Sequence, residues 1–595
     1  MSILHLIWCV SLFGALVFGL GLPLTASLPL DPGEKIALAP GAALIGIYLA
    51  AWAIYIFAAP PAAFLLLPLA AGIALLGRRR PVVALLREPE ARRLLGAYAI
   101  WTGWALGFLA LVRCYFGIGA GATGDWLEHY QRTCFFLGHW PLDYRFIWLY
   151  PLPARPPLAN LDTGAFLALS RETFPFFQVF STLESTLVLL PGWLLCRRFN
   201  AGRPATAVFL LVCMLNPLLL HNATYPWTKL ITAYFVLAGL HLFLAGRERG
   251  SACHFGAAVL LLSAGLLAHY SAGPYLLVLA LAYLLAQRRR WFTRPFAAAT
   301  AAITIPSLLL LATWFGWSWR HYGLSATAAS NTTVTSADVS SVRVFATEKL
   351  ENLYFSLVPR SLREPAYRPP AEPIVSGAVT ADQHFYLFYQ LALLSAFGIA
   401  GGVLLPWRLA RKARAPDTSA AGRRFWGWYL AGTILIGIVV KGGRDDDGVA
   451  HVCLQSVIVL GLAFLAAEYP RLPRLLRGGF WAGLAIDFAL GIALHFDVEH
   501  MNLAPPHPGA AALAAVVPSG SILPPLWSST IVSNLLAKAY FSLDFLGDRG
   551  WPVWLVTAFL FGLLLLAAAG VCAAGRQPGP APSPDARGAA PAVSS

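Results

Sequence analysis

Charge is scarce in this sequence. Asp, Glu, Lys and Arg make up 12% of its 595 residues, about half the ~25% that a soluble domain carries, so a soluble globular chain is excluded. Acids are fewer than bases, 28 against 43. Cysteines at metal-ligand spacing are also lacking. The eight are scattered, and only Cys114 and Cys134 fall within one region, which leaves a disulfide between them open. No basic segment precedes the apolar run 3–22, so it reads as a retained helix rather than a cleaved signal peptide. Period-two alternation is missing from the apolar runs, and they are too long for barrel strands, which excludes a β-barrel. There is no internal repeat of the kind found in two-halved carriers.

What the sequence has in abundance is apolar length: 58% of the residues are hydrophobic and the mean hydropathy is +0.65. Runs able to span ~30 Å of hydrocarbon recur at 3–22, 41–59, 60–77, 94–116, 173–195, 204–221, 226–245, 254–268, 272–286, 296–318, 383–406, 425–440, 449–467, 479–496 and 551–574. Backbone in lipid must satisfy its own hydrogen bonds. The expected fold is therefore all-α, a polytopic transmembrane helical bundle of about 13–15 spans.

The net charge of +15 would suit nucleic acid, but its placement argues otherwise. Segments 78–93, 196–203, 246–250, 287–294, 407–424, 468–478 and 575–595 hold 26 of the 43 Lys and Arg and only six of the 28 acids. Their clusters, Arg78-Arg79-Arg80 and Arg288-Arg289-Arg290 among them, abut span ends, where an excess of cations marks the cytoplasmic side. The basic balance is an orientation signal, and the partners expected are membrane lipids, not nucleic acid. Three long loops, 117–172, 319–382 and 497–550, then face outward. Three regions follow: N-terminal spans in 1–93, a module with the outer loops in 94–574, and a disordered cytoplasmic tail in 575–595 rich in Pro, Ala, Gly and Ser. Parity backward from Arg78 puts the N-terminus outside, unless one early segment does not cross.

The first outer loop carries the densest chemistry. Glycines at 117, 119, 121 and 124 break the preceding helix. Asp125, Glu128, His129 and Arg132 then fall at i, i+3, i+4 and i+7, one polar face of a short helix expected to lie in the membrane interface. Capping alone would account for Asp125 and Glu128; it would not account for His129 and Arg132. Further on, Arg155-Pro156-Pro157-Leu158 fixes an extended backbone behind a guanidinium whose fork suits phosphate. Lys229 opens a helix after the turn His221–Thr228, as a snorkelling cation or a phosphate ligand beside free helix N–H groups. His269-Tyr270 stands at another outer turn, where interfacial packing is the plain alternative. Lys441-Gly442-Gly443-Arg444-Asp445-Asp446-Asp447, with His451 beyond, is a solvated turn or a set of oxygens able to hold a divalent cation; metal use is left open. Glu184 and Asp487 lie inside spans, where a carboxylate must face protein or water.

A span, an outer loop with an early acid, a surface helix and then R-P-P-L before the next span resembles the GT-C membrane glycosyltransferases. The likeness is to the branch with protein O-mannosyltransferases and lipid A aminoarabinose transferases (glycosyltransferase family 39-like), and it covers about 94–574. The resemblance implies transfer of a hexose or pentose from a polyprenyl-phosphate-linked sugar to a glycan, lipid or protein acceptor. It implies a bacterial inner membrane with the site on the periplasmic face. It assigns acceptor activation to Asp125, with Glu128 as a second acid, and donor phosphate to Arg155 and Lys229, supported by His129, Arg132, His269 and Tyr270. The family often shows two adjacent acids, whereas here Trp126 follows Asp125. An O-antigen polymerase or ligase, and a transporter or flippase, are the alternatives; neither is expected to pair an early aspartate helix with R-P-P-L.

The charge asymmetry is directly testable. On a cysteine-free background, Ser336→Cys in loop 319–382 labels with a membrane-impermeant thiol reagent in intact cells, and Ser419→Cys in segment 407–424 does not. Labelling of Ser419→Cys alone inverts the topology.

Overall fold

In a computed structural model of the chain, residues 1–111, 125–147, 150–200, 202–330, 341–358, 392–410, 420–444, 449, 454–503 and 546–575 are described. Among them the only β pairing is an isolated antiparallel bridge, Phe146 with Tyr150, and the rest of the regular structure is helix. Eight helices are long and apolar enough to cross a membrane, or ten if two bent pairs each count as one span. Three shorter apolar helices, Ala252–Ala268, Tyr270–Ala286 and Arg424–Val440, accompany them. The chain is an integral multi-pass membrane protein. The tail beyond Gly575, the aspartates 445–447, His451 and Cys114 lie outside the described residues.

The helices are α1 (Ile3–Thr25), α2 (Pro32–Ile56), α3 (Leu66–Gly77), α4 (Arg79–Arg87), α5 (Pro89–Leu111), α6 (Asp125–Gly138), α7 (Leu158–Ala168), α8 (Phe174–Thr186) and α9 (Leu189–Phe199). Next come α10 (Arg203–Leu215), α11 (Pro217–Thr224), α12 (Lys229–Arg249), α13 (Ala252–Ala268), α14 (Gly273–Ala286), α15 (Arg294–Ala329) and α16 (Val342–Leu357). The last are α17 (Gly398–Ala410), α18 (Ala420–Val440), α19 (Gln455–Glu468), α20 (Arg474–Leu503) and α21 (Val553–Gly575). The apolar stretches of α8–α9 and α12 are wholly buried and form the centre of the bundle. Polar atoms tie the spans together where no water competes. Trp104 Nε1 donates to the Met214 carbonyl (2.7 Å) and Tyr234 Oη to the Ala37 carbonyl (2.8 Å).

Contacts at the helix ends settle the first spans. His5 of α1 packs on Phe176 at the start of α8, with ring centroids 5.6 Å apart. Tyr55 at the end of α2 stacks on His139 beyond α6 at 5.1 Å. At the opposite end Arg78 donates to Ser27 (3.2 Å). Here too Glu34 of α2 meets His241 and Arg249 of α12, at 3.1 and 3.0 Å. The N-terminus therefore shares a side with the first long loop, as parity predicted.

Two breaks depart from straight spans. The run 204–221 bends by 64° between α10 and α11. Pro217 forces Asn216 out of the helical region, to φ −76° and ψ 121°. The Asn216 side chain then accepts from Leu219 N at 3.1 Å. At Arg78 the chain turns 78° into α4, whose arginines and leucines make it the surface-lying amphipathic helix. The expected interfacial helix, α6, is instead buried on both faces: Trp126, Glu128, His129 and Arg132 are all buried. Its polar residues have partners inside the protein, so the face that would have met water packs inward.

Asp487 shows how an intramembrane carboxylate is made tolerable. Its Oδ1 accepts from Ile399 N (2.9 Å) and Oδ2 from Ala400 N (3.1 Å), so it caps α17 from α20. Gly398, at φ 71°, leaves room for it; a Cβ there would lie 2.4 Å from Oδ2. Asp487→Ala strands two buried N–H groups, at about 1–3 kcal/mol each. Denaturation in detergent should show a loss of about 2–4 kcal/mol for Asp487→Ala and roughly half of that for Asp487→Asn. Wild-type stability in both variants would remove the cap.

Candidate active site

Helix α6 starts at Asp125, directly after the glycine-rich stretch, and its 3.6-residue period aims Glu128, His129 and Arg132 to one side. Facing them is the segment that the two prolines extend. Arg155 has φ −134° and ψ 139°, and α7 begins three residues later. Its guanidinium lies between two carboxylates: Nη2 is 3.6 Å from Asp125 Oδ1 and Nε is 3.6 Å from Glu128 Oε1. The Tyr150 ring lies beneath, 5.5 Å away. Arg132, fully buried, completes the cluster. It donates to Glu128 Oε1 (2.8 Å) and to the carbonyls of Leu152 (2.8 Å) and Pro151 (3.1 Å), and stacks on Phe146 at 4.2 Å. Arg132 thus fastens the strand that carries Arg155.

Two acids and two arginines balance. Burial alone would raise the Glu128 carboxyl, but Arg155 and Arg132 outweigh it and hold it below the usual range. Burial opposes the charge on Arg155, yet Glu128 and then Asp125 raise its hold on its proton. Glu128 reaches no backbone N–H, so it is not half of a capping box; its Oε2 has no hydrogen-bond partner. Arg155 Nε likewise has none, since 3.6 Å is an ion-pair distance and too long for a hydrogen bond. His129 is buried and meets Asn160 Oδ1 through Nδ1 at 3.2 Å. Burial pushes its pKa down to about 4, against the pull of Glu128 and Asp125.

Asp125 differs from Glu128 in being open. Its side chain is 20% exposed, against 0% for Glu128. Its Oδ2 accepts from Trp227 Nε1 at 2.8 Å. Trp227 sits in the turn before α12, and its ring lies 5.5 Å from Lys229 Nζ. Lys229 Nζ in turn is 3.4 Å from His269 Nε2. His269 Nδ1 accepts from Ser271 N (3.1 Å), so the ring proton is on Nε2, and an ammonium cannot donate to it. Tyr270 donates to the Pro153 carbonyl at 2.9 Å.

Four separate segments of the sequence thus meet on the loop side: Asp125–Arg132, Arg155, Lys229 and His269-Tyr270. The 441–444 turn is held by α16. Asn352 of α16 donates to the Gly443 carbonyl (2.8 Å), Lys349 to that of Lys441, and Arg444 lies 3.5 Å from Glu351. Among the described residues no cluster of three or more His, Cys, Asp or Glu could hold a metal. Trp227, Asn160 and Tyr150 were not singled out by sequence reasoning.

Beside Tyr270 opens a cavity of about 470 Å³ lined by Phe315, Trp319, Leu324 and Val440. It lies in the elbow of α15, which breaks at Gly323 (φ 79°, ψ 167°), a conformation that glycine alone adopts readily. Trp319 and Leu324 are 61% and 65% exposed, so its apolar walls open at the protein surface.

No family model matches the chain, and no curated protein matches it. Among solved structures it is similar to that of ArnT from Cupriavidus metallidurans bound to undecaprenyl phosphate. That match has 15% identity and a TM-score of 0.40, covering 81% of this chain and 77% of that one. For ArnT from the same organism in the apo state the values are 16%, 0.42, 81% and 72%.

His129 gives the site a pH signature. Its native pKa lies below the ~6.5 of the unfolded chain, so its share of stability is intact above pH 6.5 and is lost as the pH falls toward 4. The loss is about 3 kcal/mol at most. His129→Gln, which keeps a hydrogen bond to Asn160, should flatten the stability–pH curve in that window. An unchanged slope would mean that His129 takes up its proton alike in the native and unfolded protein.

Proposed function

We propose that this protein is a membrane glycosyltransferase that moves a sugar from a polyprenyl-phosphate-linked donor to an acceptor on the loop side, the periplasmic face by charge asymmetry. The observation that carries this reading is one accessible carboxylate, Asp125, set beside Arg155, at the same end of the bundle as a surface-open apolar cavity at Tyr270. A lipid-linked sugar phosphate needs those three things together: a base, counter-charge for phosphate, and an apolar bed for the chain.

In this reading Asp125 takes the proton of the acceptor hydroxyl as its oxygen attacks the anomeric carbon. The bond from that carbon to the phosphate oxygen breaks, its electron pair leaves with the lipid phosphate, and the anomeric centre inverts. Trp227 fixes the unreactive oxygen of Asp125. Arg155, whose Nε–H lacks a hydrogen-bond partner, and the Lys229–His269 pair offset the charge growing on phosphate. Glu128 and Arg132 are sealed from substrate and position Arg155; His129, neutral near pH 7, holds α6 to α7. The cavity beside Tyr270 receives the first isoprene units.

Two substitutions test the assignment, read by mass spectrometry of lipid-linked sugars and envelope glycans with and without the protein. Asp125→Asn keeps an oxygen for Trp227, so the fold is retained while transfer falls by roughly 10²–10⁴-fold. Full transfer by a folded Asp125→Asn protein would end the proposal for Asp125. Arg155→Ala should weaken donor use by a contact worth roughly 1.5–3 kcal/mol, whereas Arg343→Ala, on the exposed start of α16, should not. Equal donor dependence in the two removes Arg155 from the site.

A further inference from the structure

Beside His129 and Trp227, the helices α6, α7 and α8 and the turn before α12 enclose a cavity of about 10 Å³, the room of a single water molecule. Asn160 of α7, Glu184 of α8 and Thr228 of the turn line it. Two of these keep hydrogen-bonding atoms that the protein does not pair. Asn160 spends Oδ1 on His129 and has no partner for Nδ2, and Thr228 has none for Oγ1. Both residues are buried, 2% and 5% exposed. Thr228 also stands directly before α12, where a threonine hydroxyl ordinarily accepts from the first-turn N–H groups; here its side chain makes no such bond. Glu184 Oε1 accepts from Thr163 at 3.2 Å. The lining thus offers a donor in Asn160, an acceptor in Glu184 and a hydroxyl that can be either. A metal cation would meet the amide hydrogens of Asn160, and an anion would meet the Glu184 carboxyl. Water both accepts and donates.

We propose that this cavity binds one water molecule, which accepts from Asn160 Nδ2, shares a hydrogen bond with Thr228 Oγ1 and donates to the Glu184 carboxyl, and that through it Thr228 is a positioning residue for Asp125. A buried water typically makes about three hydrogen bonds, the number these groups supply. The water ties α7 and α8 to the turn in which Trp227, the residue before Thr228, fixes Asp125 Oδ2 at 2.8 Å. Without the bridge the turn loosens, and Asp125 loses its orientation while keeping its charge. The positioning role rests on the glycosyl-transfer reading; the water site does not.

Thermal unfolding of the full chain in detergent distinguishes a hydrated cavity from a dry one by sign. Thr228→Val keeps the shape and removes the hydroxyl. With the water bound, this breaks one of its bonds and lowers the melting temperature; in a dry cavity it removes an unpaired buried hydroxyl and raises it. Asn160 and Thr228 meet only through the water, so the double variant Asn160→Ala with Thr228→Val should lose less than the two single losses together. An unchanged or higher melting temperature for Thr228→Val, or losses that add in full, overturns the water site. For positioning, Thr228→Val should lower kcat roughly tenfold, and Thr228→Ser should keep it near wild type. On an Asp125→Asn background Thr228→Val should cost nothing more, because the group it orients is already inert. A further tenfold loss there, or a Thr228→Ser protein as slow as Thr228→Val, overturns the positioning role. Full transfer by Asp125→Asn itself ends that role together with the transfer reading, and the melting temperatures still decide the water.

Discussion

Arg155 sits between Asp125 and Glu128, and much of the loop-side structure exists to keep it there. An arginine this enclosed must be paired, because an isolated buried charge costs far more than a fold can spare. Glu128 supplies the pairing and is in turn held by Arg132, which grips the carbonyls of Pro151 and Leu152. The loop between α6 and α7 is thereby closed by charge as well as by the packing of Phe146 on Phe135. One carboxylate in the cluster, Asp125, remains open, and its second oxygen is fixed by Trp227 from a distant turn. A site that binds an anion profits from this arrangement: its cations are pre-placed and balanced before the ligand arrives, and little reorganises when charge develops.

Lipid imposes the same logic on the rest of the bundle. Three carboxylates placed inside it find donors that no water supplies, whereas both oxygens of the buried Asp162 lack a hydrogen-bond partner. Asp487 takes two backbone N–H groups of α17. Glu34 takes His241 and Arg249, binding the start of α2 to the end of α12. Glu184 accepts from Thr163 at 3.2 Å. The breaks follow the rule too. The chain leaves helical geometry at Asn216-Pro217 and near Gly398, where a side chain takes up the freed N–H groups, and at Gly323 it bends at the edge of a cavity.

The two ends of the molecule divide by charge type. On the loop side, acids and bases alternate within one cluster and cancel. On the other side arginines exceed acids, the asymmetry from which the sequence is read as facing that end inward. The cations on that side follow from insertion; those on the loop side are individually placed.

The sequence by itself determined that the chain is a bundle of membrane-spanning helices, and it marked the candidate residues that the structure brings together. Span length and charge asymmetry act locally and need no partner to be read. Asp125, Arg155, Lys229 and His269 were legible because each stands at a span end, next to a glycine, a proline pair or a turn. Only the tertiary structure decided what those residues do to one another. That α6 packs inward instead of lying on the membrane depends on Arg155, Asn160 and the carbonyls at 151–152, which stand 19–31 residues from their partners in the sequence. That Trp227 reaches Asp125 depends on a contact across 102 residues. Periodicity assigns a residue to a face of its helix; which other element covers that face is set by packing and by the pairing of buried charge, and neither has a local trace.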